Sequence, residues 1–453
     1  MTLLAGLALL WGPAQDLARE IDRTVHDQFL RFERAAPAPR SDDGEFLRRV
    51  MLDLVGRPPA AEELRAFVSD PGPGKRIAMV DSLLASDRFA ESWARRLAAD
   101  LLEDPPPSLV DWIRDGLRRD RPYDRMAADL IGALGKAEEN PVVAYALARR
   151  RQDAPAPAFV EDVSRHFLGI DVYCARCHDH PFDRWLVGQY YGLAAFAVRR
   201  RAGPEGLTEG AAEDWTWVKD SWAPSKPSFL LGGTPEAGES GTAALARLVS
   251  APGNLQFSRA AANRFWGWLS DRPLVDPPWE FDLRNRGASR RLLEVLAKGF
   301  DAGGRSVKSF VRAVCASETY QRGSAHPERP ARYDFTRVRV RPLSGDQLRA
   351  SAEIATLGKI GPGMPGPADP ALFVRAGAEL REWIRTGPVL SGIRAGPGTV
   401  EEKVEAMFLA ALSRKPSAVE RDRVAAFVRE RGEEGFEEAY GALLNTAEFL
   451  SRR

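Results

Sequence analysis

Apolar residues recur at three- and four-residue spacing along most of the chain. EFLRRVMLDLV (45–55), RIAMVDSLLAS (76–86), RRLLEVLAKGF (290–300) and EEKVEAMFLAALS (401–413) all follow this rule and predict amphipathic helices. Strand-like alternation is confined to short pieces such as TRVRVRPL (336–343). The pairs Ser344–Gln347 and Ser417–Glu420 have capping-box spacing and predict helix starts. The pattern implies a mainly α, multi-helical chain with two helical domains joined by an irregular Gly/Pro-rich linker.

Breaks in the periodicity set the expected boundaries. Residues 202–240 are rich in Gly, Pro and Ser, lack a clear period, and read as the linker. It separates an N-terminal helical domain, 15–201, from a C-terminal one, 241–453. Residues 321–333 read as a shorter polar connection, and 358–370 as an internal loop.

An internal echo links the two ends of the chain. GRPPAAEELRAFV (56–68) is followed by LLASDRF (83–89), and SRKPSAVERDRVAAFV (413–428) by LLNTAEF (443–449). VCASETY (314–320) repeats the last element with Tyr in place of Phe. Unequal lengths make this a likeness of helical hairpins, not a tandem solenoid.

The first residues change the picture again. Leu3 to Trp11 form an apolar run too short to span a bilayer. The run fits the core of a signal peptide, with Gly12 and Ala14 as small residues near a cleavage point, although no Lys or Arg precedes it. Residues 1–14 are therefore expected to be a signal-like segment, with the mature chain starting near Gln15. The structural alternative is a buried first helix turn. An exported protein, periplasmic or associated with the cell envelope and without a transmembrane span, is the expectation.

Composition adds limits. With 453 residues, 44% hydrophobic and 28% charged, the chain can bury a sizeable core in two or three domains. A net charge of +1 gives no overall bias towards nucleic acid, and no nucleic-acid partner is expected.

Most short motifs fail in context. GPGMPG (361–366) contains prolines and follows no strand, so it is no dinucleotide fingerprint. PGPGKR (71–76) lacks the upstream Gly and the Ser/Thr of a phosphate loop. The chain has no Gly-x-Ser-x-Gly elbow and no His-Glu-x-x-His helix, so no catalytic residue is assigned.

The chemistry concentrates in YCARCHDHPFDRW (173–185), which holds two of three cysteines and two of five histidines. Cys174, Cys177 and His178 have the spacing of c-type haem attachment: two thiols for the haem vinyl groups, then an imidazole for iron. A second reading is a metal site, zinc by ligand type. It would draw on Cys174, Cys177 and His180, with Asp183 or a remote residue as fourth ligand and His178 as a further candidate, although a complete local tetrahedral set is not visible. A disulfide or redox dithiol is the third. His166, on AFVEDVSRHFLG (158–169), is a candidate distal haem ligand; its structural alternative is pairing with Asp162 one turn earlier. Tyr173, Phe182, Trp185, Tyr190 and Tyr191 would wall a haem or simply form core. Cys315 reads as a small buried hydrophobe.

VSRHFLGIDVYCARCHDHPFDRWLVGQYYGLAAF resembles the planctomycete paired domains of unknown function, which often accompany planctomycete-type cytochrome c domains. The likeness extends to FLRRVMLDLVGRPPAAEELRAFV, LLASDRFAESWARRL, FSRAAANRFWGWLSDRPLVDPPWEF, FVRAVCASETYQ and ALSRKPSAVE…ALLNTAEFL. It implies an exported, cell-envelope or membrane-associated protein, and it marks Cys174, Cys177, His178, His180 and Asp183 as motif positions. These 453 residues hold no separate cytochrome c domain, so within them a haem is expected to sit on 174–178 itself. Where relatives have a Ser-His-Pro turn, this chain has GASRR (287–291). Asn263, Arg264, Trp266 and Asp276 match and read as a buried polar network.

Two functions follow as expectations. One is an exported c-type haem protein that transfers electrons or senses redox state, with a redox partner or cell-envelope protein. The other is a non-haem binding or scaffold module whose Cys/His cluster holds a structural metal or a disulfide.

Overall fold

The computed structural model describes residues 2–30, 36–148, 155–210, 215–218, 221–224, 226–281, 285, 287, 289–326, 335–361, 373 and 377–453. The fold is mainly α and multi-helical. Among the described residues no helix is long and apolar enough to cross a membrane. Parts of the expected 321–333 connection, the 358–370 loop and the 287–291 stretch lie outside the described residues, as do the side chains of 2–11.

The described strands form three two-stranded sheets, and they correct the reading of two stretches. In TRVRVRPL only Arg341–Pro342 is strand, paired antiparallel with Ser451–Arg452. Alternation alone makes no strand, because a ladder forms only where a partner edge arrives. The 202–240 stretch, read as irregular, instead contains hairpin. Arg200–Gly203 pairs with Gly206–Glu209, and Trp215–Val218 with Ser221–Pro224. The first hairpin turns through a two-residue loop closed by Gly206 at φ 83°, a left-handed conformation that glycine adopts at little cost.

The described contacts divide into two compact units, each built from two separate stretches: Met1–Val25 with Ala90–Ser317, and His26–Phe89 with Glu318–Arg453. These units cut across the expected 15–201 and 241–453 segments. Helices associate through matching apolar faces, which need not belong to neighbours in sequence.

In the first unit the Thr2–Val25 helix packs on the Arg290–Ala302 and Val307–Ala316 helices and buries Leu17, Ile21 and Val25. Gly299, in direct contact with Leu17, permits the close approach. The core is aromatic. The Phe265 ring lies 5.3 Å from Tyr123, 5.9 Å from Trp93 and 6.0 Å from Phe300. Each such buried side chain contributes about 1.5–3 kcal/mol.

The second unit surrounds the Asp43–Val55 helix. Asp42 caps its start by accepting from the Glu45 N–H at 2.8 Å, and Gly56 ends it in the left-handed region. This helix buries Phe46, Leu47, Val50 and Leu54, but also Arg48, Arg49 and Asp53.

Both halves of the internal echo lie in this second unit. Arg57 grips Glu63 at 2.6 and 2.7 Å, and Arg414 grips Glu420 at 2.9 and 2.8 Å, the same fork six residues long. Each glutamate also accepts from the backbone N–H at its helix cap, Ala60 or Ser417, at 2.8 Å. At the second element, Ser86 and Thr446 accept from the N–H of Phe89 and Phe449 and donate to the carbonyls of Leu83 and Leu443. The repeated letters are therefore repeated helix-stop and helix-start hardware.

Hydrogen bonds from Arg414 hold the Glu420 carboxyl down at about 2. That contribution is present above the usual glutamate range and is lost only as pH falls through about 2. Ser417→Ala removes the matching half of the box and is expected to cost about 1 kcal/mol, read as a lower urea midpoint.

Candidate functional site

The Cys/His segment is delivered by a helix with an unusual ending. The Pro155–Val163 helix passes into a π turn, Ser164–Leu168. A π turn shifts the hydrogen-bond ladder by one residue and releases carbonyls from their normal partners. Two side chains of the Leu255–Ser270 helix reach such carbonyls: Arg264 donates to His166 O at 2.7 Å and Gln256 to Leu168 O at 2.7 Å.

Gly169 then takes φ 66°, and a Cβ there would meet the Phe281 ring at 2.6 Å. Glycine is required on both counts. Ser164 Oγ donates to Ile170 O at 2.8 Å, and Arg165 pairs with Asp171 at 2.7 Å. Asp171 in turn accepts from the Tyr173 N–H at 2.9 Å, opening the 3-10 turn Tyr173–Arg176. Ser164, Arg165 and Asp171 thus hold the turn through local contacts.

The turn is anchored on one side and open on the other. Ala175 is fully buried, and Tyr191 Oη, from the Val187–Ala194 helix, donates to Arg176 O at 3.0 Å. Behind it Tyr190 Oη donates to the buried Glu161 at 2.6 Å. Burial first, then the negative charge of Glu161, pushes the Tyr190 hydroxyl well above the usual tyrosine range. Cys174 and Cys177 are exposed free thiols on this turn. Tyr173 and Phe182, each 47% exposed, and Leu186, 51% exposed, leave apolar surface in the same segment. Trp185, Tyr190 and Tyr191 are buried.

The two histidines of the motif differ in chemistry. His178 Nδ1 lies 2.8 Å from the Asp179 carbonyl, which only accepts, so Nδ1 carries a proton and, in the neutral ring, the lone pair is on Nε2. His180 is the reverse. Its Nδ1 accepts from the Phe182 N–H at 3.3 Å, which places the proton of the neutral ring on Nε2 and occupies the remaining lone pair. In their neutral rings the two therefore differ: Nε2 of His178 carries the open lone pair, whereas the Nδ1 lone pair of His180 meets the Phe182 N–H. Asp183 Oδ1 is engaged by the Arg184 N–H at 2.8 Å, and Asp179 Oδ1 by the Val187 N–H at 3.0 Å. Among the described residues no three His, Cys, Asp or Glu side chains are grouped to hold a metal ion.

His166, the candidate distal ligand, sits in the π turn with Nδ1 3.3 Å from Tyr145 Oη. Of the four matching residues near the chain centre, Asn263 brackets Val275 through both its amide groups, at 2.9 and 3.0 Å. Arg264 joins Asp100, Tyr123 and His166. Trp266 is buried, whereas Asp276 is half exposed and faces Arg272 at 3.6 Å. Sequence reasoning did not single out Gln256, Glu161 or Tyr145. Their partners lie 88, 29 and 21 residues away, and no local pattern signals such pairs.

Residues 20–201 match the family model described as PSCyt2, protein of unknown function (DUF1549), and 242–371 the model described as PSD1, protein of unknown function (DUF1553). No curated protein and no solved structure matches the chain. The two matches flank the hairpin-bearing 202–240 stretch and together take in more than half of the sequence. The chain thus belongs to the planctomycete-type proteins that pair these two domains of unknown function.

Proposed function

We propose that this is an exported cell-envelope protein carrying covalent c-type haem on Cys174, Cys177 and His178, for electron transfer or redox sensing. The observation that carries the reading is the contrast between the histidines: in the neutral rings, only the one directly after the second cysteine has its Nδ1 on a carbonyl and its lone pair on Nε2. The donor set fits the group. Two free thiols stand exposed on one turn, and Tyr173, Phe182 and Leu186 offer apolar surface to a flat hydrophobic ring. Haem bound there supplies one-electron chemistry. The chain's own residues hold the turn: Tyr191 fixes Arg176 O, Asp171 caps its start, and the Asp179 carbonyl orients His178.

Covalent haem attachment takes place on the outer side of the bacterial membrane, so the reading includes export with Leu3–Trp11 as the signal. Cleavage near Gln15 would leave the buried Leu17, Ile21 and Val25 in the mature chain.

Expressed with a haem-maturation system, the chain is expected to gain the mass of one haem and a Soret band that survives acid–acetone extraction. Replacing Cys174 and Cys177 together abolishes both signals, while replacing His178 shifts the spectrum. A colourless chain of unmodified mass refutes the haem reading in favour of the non-haem scaffold, and zinc bound in that sample would assign the cluster to a metal.

A further inference from the structure

We propose that a cleft in the second compact unit binds short apolar peptides with free ends, independently of the haem reading. The cleft has a volume of about 630 Å³, within the range of small-molecule sites. One wall is the start of the Ala61–Ser69 helix, and the Pro388–Ala395 and Val400–Leu412 helices face it. All three belong to the second unit. Ile354, Val389 and Ile393 make the lining apolar, and small residues keep it open. Ala406 and Ala410 stand one turn apart on one helix, and a Cβ at Gly392 would meet nothing within 4 Å.

The charges around this apolar lining select the occupant. Four charged side chains border the cleft: Glu62, Arg65, Glu402 and Lys403. The last two are engaged with backbone. Glu402 accepts from the Thr399 N–H at 2.7 Å, and Lys403 Nζ donates to Arg394 O at 2.7 Å. Glu62 and Arg65 are exposed and have no hydrogen-bond or ion-pair partner among the described residues, although they stand one turn apart on one helix. A solely anionic ligand would leave Glu62 opposed to it, and a solely cationic one would leave Arg65 opposed. A ligand with both charges matches the pair. Positions three apart on a helix have Cβ atoms about 5–6 Å apart. An extended dipeptide spans at most about 7 Å, so its ammonium reaches Glu62 and its carboxylate Arg65 while apolar side chains cover the lining.

Isothermal titration calorimetry of the full chain with L-leucyl-L-leucine is expected to show one saturable site. N-acetyl-leucyl-leucine lacks the ammonium and leucyl-leucinamide lacks the carboxylate. Each is expected to bind about fivefold more weakly, the scale of one ion pair at a solvated rim. Glycyl-glycine, without apolar side chains, is expected to give no saturable heat. Arg65→Ala and Glu62→Ala are expected to weaken leucyl-leucine to the same extent as removing the matching end of the peptide. Both residues are exposed, so neither change disturbs folding, which circular dichroism checks. Ala406→Trp fills the cleft and is expected to abolish binding; should it fail to fold, the two exposed variants carry the test. No saturable heat with leucyl-leucine overturns the proposal. So does binding that Arg65→Ala and Glu62→Ala leave unchanged, since the site then lies elsewhere. Equal affinity for the acetylated peptide assigns the cleft to apolar anions, and equal affinity for glycyl-glycine removes the apolar lining from recognition; either result also overturns it.

Discussion

Asp53→Ala is expected to destabilise the second compact unit by about 3–5 kcal/mol, the cost typical of breaking a buried ion pair from one side. The Asp53 side chain is fully buried and accepts from Tyr320 Oη at 2.8 Å, from Arg341 Nη2 at 3.0 Å and from Arg452 Nη2 at 2.6 Å. Arg452 is itself fully buried, so the variant takes from a buried cation the carboxylate that its Nε and Nη2 both reach. Urea unfolding of the full chain, followed by circular dichroism, reads the loss as a lower midpoint; an unchanged midpoint would show that the network contributes little. Breaking the exposed Arg385–Glu382 pair serves as control and is expected to leave the midpoint in place.

The pH dependence of this variant has a definite sign. Burial alone would raise the Asp53 carboxyl, but Arg452 and Arg341 outweigh it and hold it below the usual aspartate range. A depressed folded-state value means that the unfolded chain takes up the proton first. The stabilisation is therefore complete above about pH 4 and is lost as pH falls through the folded value. Asp53→Ala removes that acid-sensitive contribution, so stability should fall less steeply with acidification than in the unmodified chain.

Arg264→Met is expected to cost about 2–4 kcal/mol and to loosen the approach to the Cys/His turn. Arg264 is buried, pairs with Asp100 at 2.9 Å, and donates to Tyr123 Oη at 3.2 Å and His166 O at 2.7 Å. The methionine fills much of the volume but supplies no donor, leaving a π-turn carbonyl open two residues after the turn begins. Amide hydrogen exchange should quicken over 164–178 more than elsewhere in the first unit. Arg264→Lys keeps the charge near Asp100 but cannot present the guanidinium fork, so only partial recovery of protection is expected. Equal exchange in all three chains would separate the π turn from Arg264.

The helices were legible because their causes are local. The periodicity of 45–55, 76–86, 290–300 and 401–413 coincides with Asp43–Val55, Lys75–Ala85, Arg290–Ala302 and Val400–Leu412. Ser344–Gln347 and Ser417–Glu420 both form capping boxes. Those signals lie within one or two turns of the residues they organise. The hairpins of 200–209 and 215–224 were missed because 202–240 carries punctuation but no period, and Gly and Pro mark loops and hairpin turns alike.

By itself the sequence determined the helical class, the helix starts, the echoed hardware at 57–63 and 414–420, and the presence of two thiols and an imidazole at haem-attachment spacing. Only the tertiary structure decided which stretches pack together, since apolar faces carry no address: residues 26–89 join 318–453, and 1–25 join 90–317. It also decided the fate of the charges on one helix. Arg48, Arg49 and Asp53 look like a solvated face in EFLRRVMLDLV, yet all three are buried because distant groups satisfy them: Phe449 O for Arg48, Tyr320 O for Arg49, Arg341 and Arg452 for Asp53. The same holds at the motif. CxxCH names two thiols and a ring, but which nitrogen is free follows from where the Asp179 carbonyl and the Phe182 N–H come to rest, and the backbone path through space fixes that.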